Sequence, residues 1–387
     1  MDYTTHLKAI LMKIAFIGIR GIPIVYSGFE TFAENLAVQL VKENYKVSVY
    51  CRSPYISIAL GNSYKGVNLI VLPTIKSKNF ETIIHSFLST LHACFLRRYE
   101  VIYYFGVGNA IFTLLPKLLG IKTIINVDGL DWKREKWDGF AKWYLKYSEY
   151  LATKIPDVII SDSLYIQQYY QKNYKKRSIF IPYSFRDIPM SPSKQFNLLK
   201  TYSIEKRMYF IWVGRIIPDY HVEDFIIAYK RSNTSLKCMI IGDDLYGSPY
   251  KKYVYDLAKN DKRIIFTGYI DRKKLYALER NCFSYVETKR SGSTHQSLVD
   301  ALGLGCFIIA NDYHVNRQIL KSSVVYYEQR RKDADLTKVL RRISECKNDK
   351  QAQIYRLLSR KLYEEQFSDK HVVNNYRILF KQLVKVT

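Results

Sequence analysis

Two turns between a predicted strand and a predicted helix combine glycine with arginine. In "GIRGIPIVYSGFETFAENL" (18–36), Arg20 stands among three glycines ahead of an apolar pattern with helical spacing. In "MYFIWVGR" (208–215), Gly214 and Arg215 end a buried-strand pattern. Backbone N–H groups at a helix start favour phosphate, and a guanidinium adds charge-assisted hydrogen bonds worth roughly 1.5–3 kcal/mol each. These residues predict a diphosphate site, although any single glycine can also serve its turn alone.

The signatures of two common classes of phosphate-binding enzyme are missing from these turns. "GIRGIP" does not match G-x-G-x-x-G, the second strand ends in Cys51 and Arg52 without an acid for a ribose, and the chain has no P-loop. A nicotinamide-dependent enzyme and a P-loop kinase or ATPase are therefore disfavoured. The six cysteines lack the paired spacing of a zinc or redox site, so we expect reduced thiols.

Strand and helix patterns alternate along both halves of the chain. The first series stops near residues 178–189, a polar stretch runs to about residue 207, and a second series begins at 208. This order predicts an α/β fold of two doubly wound domains whose parallel sheets face a common cleft. We place the domains at 12–187 and 208–365, with a C-terminal helix at 366–387 that can cross back to the first domain.

The composition indicates a folded protein with an anionic partner. A chain of 387 residues that is 48% hydrophobic can bury two cores, which excludes a disordered protein. The net charge of +25 predicts an anionic partner, such as nucleic acid, a phosphorylated substrate or an acidic membrane. The first residues lack the apolar stretch of a signal peptide, and Met12 is an alternative start. We expect a cytoplasmic protein.

Three motifs carry a resemblance to a known family. The segments "GIRGIPIVYSGFETFAENL", "INVDGLDWKREKW" and "SGSTHQSLVDALGLG" resemble motifs of family 4 glycosyltransferases with the GT-B fold, in the subgroup of bacterial rhamnosyltransferases of cell-surface polysaccharide assembly. The resemblance covers about residues 13–320. It implies two Rossmann-like domains, the first on the acceptor side and the second binding a nucleotide sugar.

The activity implied by this resemblance is a retaining, metal-independent hexosyl transfer without a bound cofactor. The donor would be dTDP-L-rhamnose, and the acceptor a lipid-diphosphate-linked saccharide used in a capsule, O-antigen or cell-wall polysaccharide. A UDP-hexose-dependent transferase of the same fold and a non-catalytic nucleotide-sugar-binding protein are the alternatives.

The resemblance assigns the donor diphosphate to Arg215, which matches the family's arginine after the first strand of the second domain. The family commonly has a lysine five positions later, where this chain has Tyr220. We therefore expect the second cation to be Lys289, Arg290 or Arg20.

Two further family positions lie in the last glycine turn and the helix after it. Asp300 matches an acid that contacts the ribose, and Gly292 replaces the acid that contacts the donor sugar, which weakens the inference about that sugar. The residues predicted to bind the donor are Gly28, Gly214, Arg215, Tyr269, Gly292, Ser293, Thr294 and Asp300.

The same resemblance places the loop 18–28 over the donor phosphates and beside the acceptor site. Asp128 would bind the acceptor hydroxyl or assist its deprotonation, and capping of the turn "DGLDW" is the alternative. We expect the donor's β-phosphate oxygen to take the acceptor proton. The predicted catalytic residues are Asp128 and Arg215, and the predicted acceptor-binding residues are Arg20, Tyr26, Trp132, Lys133 and Arg134.

Aromatic and basic residues are mixed in two segments of the first domain, 131–154 and 169–177. This mixture suits an anionic membrane surface, where each cation contributes about 1 kcal/mol. A charged helical face with a core stripe of aromatics is an alternative. Nucleic acid also fits the charge, but no recognised binding motif accompanies it. We expect a peripheral protein on the inner face of the cell membrane, with no nucleic-acid partner.

Overall fold

The chain forms two parallel-sheet lobes, which confirms the predicted α/β architecture. The computed structural model describes residues 12–23, 28–56, 61–75, 77, 80–127, 129–133, 139–244, 247–290, 293–328, 334–346 and 349–385. Within these ranges, no helix combines the length and the apolar character needed to cross a membrane.

The first sheet has eight strands in the order β3-β4-β2-β1-β5-β6-β7-β8, and only β3 pairs antiparallel among those described. Its strands are β1 (Lys13–Ile17), β2 (Lys46–Arg52), β3 (Ser63–Tyr64), β4 (Val67–Leu72), β5 (Val101–Phe105), β6 (Lys122–Val127), β7 (Val158–Ser161) and β8 (Ile179–Phe180). The central strand β5, "VIYYF", is buried throughout, as expected for a parallel strand covered on both faces. Phe16 and Ile17 accordingly belong to different hydrophobic clusters.

Helices cover both faces of this sheet. They are α1 (Gly28–Lys42), α2 (Glu81–His92), α3 (Leu114–Leu118), α4 (Gly139–Ala152) and α5 (Leu164–Tyr174), and α6 (Pro192–Thr201) follows them. A π-helical turn (Ala93–Arg97) extends α2, and a 3₁₀ helix (Val107–Thr113) leads into α3. The polar stretch between the predicted domains thus contains a helix that the sequence pattern did not predict. Pro192 at its first turn and the buried Leu199 favour it.

The second sheet has six parallel strands in the order β11-β10-β9-β12-β13-β14. The strands are β9 (Tyr209–Val213), β10 (Lys237–Ile241), β11 (Ile264–Phe266), β12 (Ser284–Glu287), β13 (Ile308–Asn311) and β14 (Val325–Tyr327). The helices are α7 (Val222–Ser232), α8 (Pro249–Ala258), α9 (Arg272–Asn281), α10 (Gln296–Gly303), α11 (His314–Leu320), α12 (Ala334–Cys346), α13 (Asp349–Gln366) and α14 (Asp369–Lys385).

The last helix, α14, lies against the first lobe. The Tyr376 and Tyr103 hydroxyls are 2.9 Å apart, and the Gln39 side chain donates to Asp369 at 3.1 Å. One hydrophobic cluster continues from the first sheet through α14 to the second sheet. The two lobes therefore share buried apolar surface in addition to the chain segments that connect them.

Candidate active site

Both sheets reverse their strand order at their first strand. Strand β1 lies between β2 and β5, and β9 lies between β10 and β12. In open parallel sheets, ligands bind outside the carboxyl ends of the strands at such switch points. Arg20 lies in the loop after β1, Gly214 and Arg215 follow β9, and Lys289 follows β12. These predicted residues therefore belong to the two switch points.

Tyr220 orients Arg215 at the end of β9. The Arg215 Nη2 group donates to the Tyr220 hydroxyl at 3.1 Å, and the guanidinium carbon lies 5.3 Å from the centre of the tyrosine ring. The Thr288 hydroxyl donates to the Tyr220 carbonyl oxygen at 2.6 Å and so fixes the backbone there. A guanidinium held in one orientation is suited to bidentate binding of a phosphate.

Lys289 is the cation that the structure places against Tyr220. Its ammonium lies 5.0 Å from the ring centre and donates to the Val213 carbonyl at 3.0 Å and to the Ser297 hydroxyl at 2.7 Å. Glu287 Oε2 is 3.6 Å away, and both side chains are buried. Burial raises the pKa of Glu287, and the Lys289 ammonium opposes that rise. A buried ion pair thus lies behind the Arg215–Tyr220 contact.

The other two candidates for the second cation have different surroundings. Arg290 pairs with Asp224 of α7. The Arg20 amide donates to Glu30 Oε1 at 3.0 Å, in the first turn of α1, and its guanidinium carbon lies 5.4 Å from the Tyr55 ring centre. Arg20 is therefore associated with the first lobe, on the side predicted for the acceptor.

Position 214 requires glycine because neighbouring side chains occupy the space that a Cβ atom would need. A Cβ atom at this position would lie 2.9 Å from side-chain atoms of Trp212 and Tyr220 and 3.1 Å from Lys289 Cε. Distances below 3.0 Å are not tolerated without movement of the neighbours. The end of β9 therefore approaches the protein's own aromatic rings closely at this position.

Asp300 is buried in α10, next to Gln296 in the first turn of that helix. The Gln296 amide donates to Asp300 Oδ1 at 2.7 Å and to the Ser184 carbonyl at 2.8 Å. Burial raises the pKa of Asp300 to about 7, against the opposing effects of the Gln296 hydrogen bond and the Arg272 charge. A carboxyl group that titrates near neutrality accepts hydrogen bonds from hydroxyl groups best above that pH.

The two lobes meet at the segment that precedes α10. The Thr294 amide donates to Asp162 Oδ2 at 3.2 Å, and its hydroxyl donates to the Asp162 carbonyl at 2.9 Å. A Cβ atom on Gly28 would lie 3.3 Å from Gln296 Cβ, so the N-termini of α1 and α10 are adjacent. Ser293 is buried in the same segment. The conformation described is therefore closed at this turn.

Trp132 belongs to a polar cluster that sequence reasoning did not identify. Its indole N–H donates to Glu149 Oε1 at 2.7 Å. Glu149 Oε2 accepts hydrogen bonds from Lys146 at 2.9 Å, Tyr169 at 3.0 Å and Tyr174 at 2.8 Å. Burial by itself lowers the pKa of Lys146. Its hydrogen bonds with Tyr169, Tyr174 and Glu149 outweigh that effect, so the pKa lies above its usual value. The cluster joins the 3₁₀ helix Asp131–Lys133 to α4 and α5.

Of the remaining predicted site residues, two are exposed and the others lie outside the described part of the chain. The exposed Tyr269 donates its hydroxyl to the Asp243 carbonyl at 2.9 Å. The Lys133 ammonium lies 5.4 Å from the Trp132 ring centre, and Lys133 is exposed. Four predicted residues lie outside the described part of the chain, namely Tyr26, Asp128, Arg134 and Gly292.

Two of the polar residues that the sequence analysis missed are Asp162 and Glu149. Asp162 directly follows β7, so its position at a strand end was a usable signal. Glu149 follows Lys146 by three positions on a helical pattern, which gives no hint of Trp132 as a partner. In the described ranges, no group of three or more His, Cys, Asp or Glu side chains could hold a metal ion.

Comparison with protein families gives a match in each half of the chain. Residues 11–185 match a domain of unknown function (DUF1972), and residues 194–357 match the family Glycosyl transferases group 1. Residues 194–357 are thus similar to a group 1 glycosyltransferase domain. This domain contains Arg215, Tyr220, Lys289 and Asp300. No curated protein matched the sequence.

Solved structures of similar fold extend over nearly the whole chain. HepE of Anabaena, in complex with UDP and glucose, shares 14% identity and a TM-score of 0.77 over 96% of this chain and 100% of its own. Sucrose-phosphate synthase of Thermosynechococcus elongatus shares 14% identity and a TM-score of 0.78 over 97% and 100%. WaaG, a glycosyltransferase involved in lipopolysaccharide biosynthesis, shares 12% identity and a TM-score of 0.71 over 94% and 99%. The chain therefore has the GT-B fold.

Proposed function

We propose that this group 1 glycosyltransferase moves L-rhamnose from dTDP-L-rhamnose to a lipid-diphosphate-linked saccharide, with retention and without a metal ion, in the assembly of a capsule, O-antigen or cell-wall polysaccharide. The observation that carries the transferase proposal is the arrangement of the two switch points. Arg215, Lys289 and the N-terminus of α10 lie at one, and the N-terminus of α1 lies against α10 from the other lobe. The complexes of HepE with UDP and with UDP-glucose support a nucleotide-sugar donor.

In this proposal, the second lobe binds the donor through its diphosphate and its ribose. The Arg215 guanidinium binds phosphate oxygens, and the buried Lys289 adds positive potential behind it. Asp300 accepts a hydrogen bond from the ribose, in competition with Gln296. Ser293 and Thr294 lie in the turn before α10, and the N-terminus of that helix favours binding of an anion.

The proposed chemistry is attack by the acceptor hydroxyl on the face from which the diphosphate leaves. The acceptor oxygen bonds to the anomeric carbon while the bond from that carbon to the phosphate oxygen breaks. The acceptor proton passes to the departing β-phosphate oxygen, and a nucleoside diphosphate is released. Negative charge grows on the diphosphate in the transition state, so Arg215 and Lys289 stabilise the transition state more than the ground state. Asp128 orients the acceptor hydroxyl.

We assign the lipid-linked acceptor and peripheral membrane binding to the first lobe because of its exposed aromatic side chains. Phe140, Trp143, Tyr147 and Tyr150 of α4 form an aromatic ladder whose successive ring centres are 5.6, 5.6 and 6.3 Å apart. Trp143 is 60% exposed and Phe140 69% exposed. Aromatic rings beside lysines are typical of surfaces that bind an anionic bilayer interface.

More exposed apolar side chains lie on the elements packed beside α4. The 3₁₀ helix Val107–Thr113 contacts α4, α2 and α3. Phe87 of α2 and Leu118 of α3 are 49% and 74% exposed, and Leu96 of the π-helical turn is 71% exposed. Large exposed apolar groups on adjacent elements are the usual mark of an interaction surface.

A UDP-hexose is the second candidate donor, because the related structures were solved with UDP and UDP-glucose. A donor screen decides between the two. dTDP-L-rhamnose, UDP-glucose, UDP-galactose, UDP-N-acetylglucosamine and GDP-sugars are each offered with a short lipid-diphosphate-GlcNAc acceptor, and the product is identified by mass and anomeric configuration. We expect a product whose new glycosidic bond keeps the anomeric configuration of the dTDP-L-rhamnose donor.

The outcomes of this screen separate the alternatives. Transfer from a UDP-hexose alone would replace the rhamnose assignment and keep the mechanism. Binding of nucleotides without turnover of any donor would show a non-catalytic binding protein. Inversion at the anomeric carbon would contradict the proposed attack on the leaving-group face.

A further inference from the structure

Glu149 is a buried carboxylate whose two oxygens are both engaged. It is 1% exposed and accepts four hydrogen bonds, one from the Trp132 indole on Oε1 and three from Lys146, Tyr169 and Tyr174 on Oε2. An ionised carboxylate has about four acceptor positions, so this set fully satisfies it. A charge this well bonded has a defined position, and so do the groups bonded to it.

The four donors come from three different elements. Trp132 lies in the 3₁₀ helix after β6, Lys146 lies in α4, and Tyr169 and Tyr174 lie in α5. The hydrogen bond to Trp132 therefore fixes a short loop segment to two full helices. Because the indole has a single N–H donor, the loop loses this bond entirely if the carboxylate moves away.

The Trp132 ring in turn supports an exposed cation. The Lys133 ammonium lies 5.4 Å from the ring centre, and the Lys146 ammonium lies 4.5 Å from it. Lys146 is paired with Glu149, whereas Lys133 is on the surface. Contact with an aromatic face restricts the range of a long lysine side chain. The path from Glu149 through Trp132 thus ends at a positive charge that faces solvent.

We propose that Glu149 is a positioning residue for the acceptor, which holds Trp132 so that Lys133 is placed to bind the acceptor's diphosphate. This inference rests on the proposed function, because the diphosphate belongs to the lipid-linked acceptor assigned there. The proposed positioning role and a purely structural role of the cluster predict different effects of a substitution. A structural role affects stability alone, whereas a positioning role affects recognition of the acceptor and leaves recognition of the donor unchanged.

Three variants test the proposal, namely Glu149→Gln, Trp132→Phe and the double variant. The Gln side chain keeps the shape of Glu149 but has only one acceptor oxygen, so it cannot serve both the Trp132 indole and the three donors now bonded to Oε2, and Phe keeps an aromatic ring without the N–H. With a short lipid-diphosphate-GlcNAc acceptor, we expect each single variant to raise the acceptor KM about tenfold, which corresponds to about 1.4 kcal/mol. The donor KM and the kcat at saturating acceptor stay within about twofold of wild type, since the donor site lies on the other lobe.

Non-additivity is the sharper readout. If both residues act through one hydrogen bond, the double variant has the acceptor KM of the worse single variant. Lys133→Gln gives the same rise, and Lys133→Arg restores most of the affinity. Asp261→Asn is the matched control, because Asp261 also accepts several hydrogen bonds, from Arg263 in the second lobe. It is expected to lower the melting temperature without changing the acceptor KM.

Several results would overturn the inference. One is a Glu149→Gln protein with a lower melting temperature and an unchanged acceptor KM, and another is a pair of effects that add fully in the double variant. Calorimetry with the acceptor analogue alone gives the same comparison without turnover. If the wild type binds the analogue but transfers no sugar, the proposed function fails and the calorimetric comparison still decides the role of Glu149. If it binds dTDP but no lipid diphosphate, the inference fails while the donor site stands.

Discussion

The two sides of the cleft differ in how they hold their charges. On the second lobe, Lys289 is 2% exposed and pairs with a fully buried Glu287, and Arg215 is held against Tyr220. On the first lobe, Lys133 is on the surface and the aromatic ladder of α4 is largely exposed. Enclosed, preorganised charges suit a small soluble donor that enters the cleft whole. Exposed rings and cations suit an acceptor whose lipid part stays in a membrane.

The largest predicted effect concerns the donor side. Arg215→Ala removes up to two charge-assisted hydrogen bonds to the diphosphate, each worth roughly 1.5–3 kcal/mol, so kcat/KM falls about 10²–10⁴-fold. The measurement is steady-state kinetics with the donor identified in the screen. Arg280→Ala is the matched control, because it removes another arginine of the second lobe, whose ion pair with Asp187 lies on the surface. A kcat/KM equal in the two variants would remove Arg215 from the site.

The buried pair behind Arg215 gives the second prediction. Lys289→Met alone leaves Glu287 without its cation and lowers the free energy of unfolding by about 3–5 kcal/mol. The double variant Glu287→Gln/Lys289→Met recovers most of that stability, since neither charge remains. It should still bind the nucleoside diphosphate about tenfold more weakly than wild type, with a smaller change for the monophosphate. Wild-type diphosphate affinity in the double variant would show that Lys289 is only structural.

The third prediction concerns the exposed aromatic ladder of α4. Trp143→Ser/Tyr147→Ser removes two rings of the aromatic ladder and is expected to weaken binding to vesicles with anionic lipid at least tenfold, measured by co-sedimentation. Activity on a water-soluble acceptor should stay within about twofold. The control is Ile354→Ser/Leu357→Ser on α13, where two apolar side chains are also exposed. Equal losses in both pairs would mean that general hydrophobicity, and not this surface, drives vesicle binding.

The sequence predicted the two-sheet architecture because its strands are short apolar runs separated by helical patterns. The strand 101–105 and the restart at 208 are clear in the sequence because parallel strands covered on both faces read as continuous apolar segments. Helix α6 was missed because it buries only Leu199 and therefore carries a weak pattern. Arg215 and Asp300 were predicted from motifs in which each residue has a fixed distance from a strand or helix end.

Other parts of the candidate site could not be predicted from the sequence because they depend on distant contacts. Asp162 meets Thr294, which is 132 positions away in the chain, through the docking of the two lobes. The choice of Lys289 over Arg290 depends on Asp224, which binds Arg290 from α7. Trp132 was predicted as an acceptor contact from its position in a motif, and its bond to Glu149 depends on the packing of α4 and α5. Local patterns contain no information on these partners.

The fourth prediction concerns pH. Burial raises the pKa of Asp300 from 3.8 to about 7, so the folded protein binds this proton more tightly than the unfolded chain. The contribution of this group to stability is present below about pH 4 and is lost as pH rises towards 7, by at most about 1.4 kcal/mol per unit. If the ionised form binds the ribose, nucleotide affinity rises with pH up to about 7 and then levels off. Asp300→Asn should bind more weakly at pH 8 and lose this pH dependence, and a flat wild-type titration by calorimetry would contradict the ribose contact.

The smallest predicted effect lies where the two sides of the cleft meet. Thr294→Val removes the hydrogen bond from the Thr294 hydroxyl to the Asp162 carbonyl, which lowers the free energy of unfolding by about 1 kcal/mol. The hydrogen bond from the Thr294 backbone N–H to the Asp162 carboxylate remains. If the donor must open this contact to reach the turn before α10, the loss favours the open form, and the donor KM falls by up to about fivefold. Thr234→Val is the control, because it removes a buried hydroxyl that bonds Ser344 and the Leu236 amide within the second lobe. It should cost at least as much stability and leave the donor KM unchanged, whereas an increased donor KM in Thr294→Val alone would show that the hydroxyl contacts the donor directly.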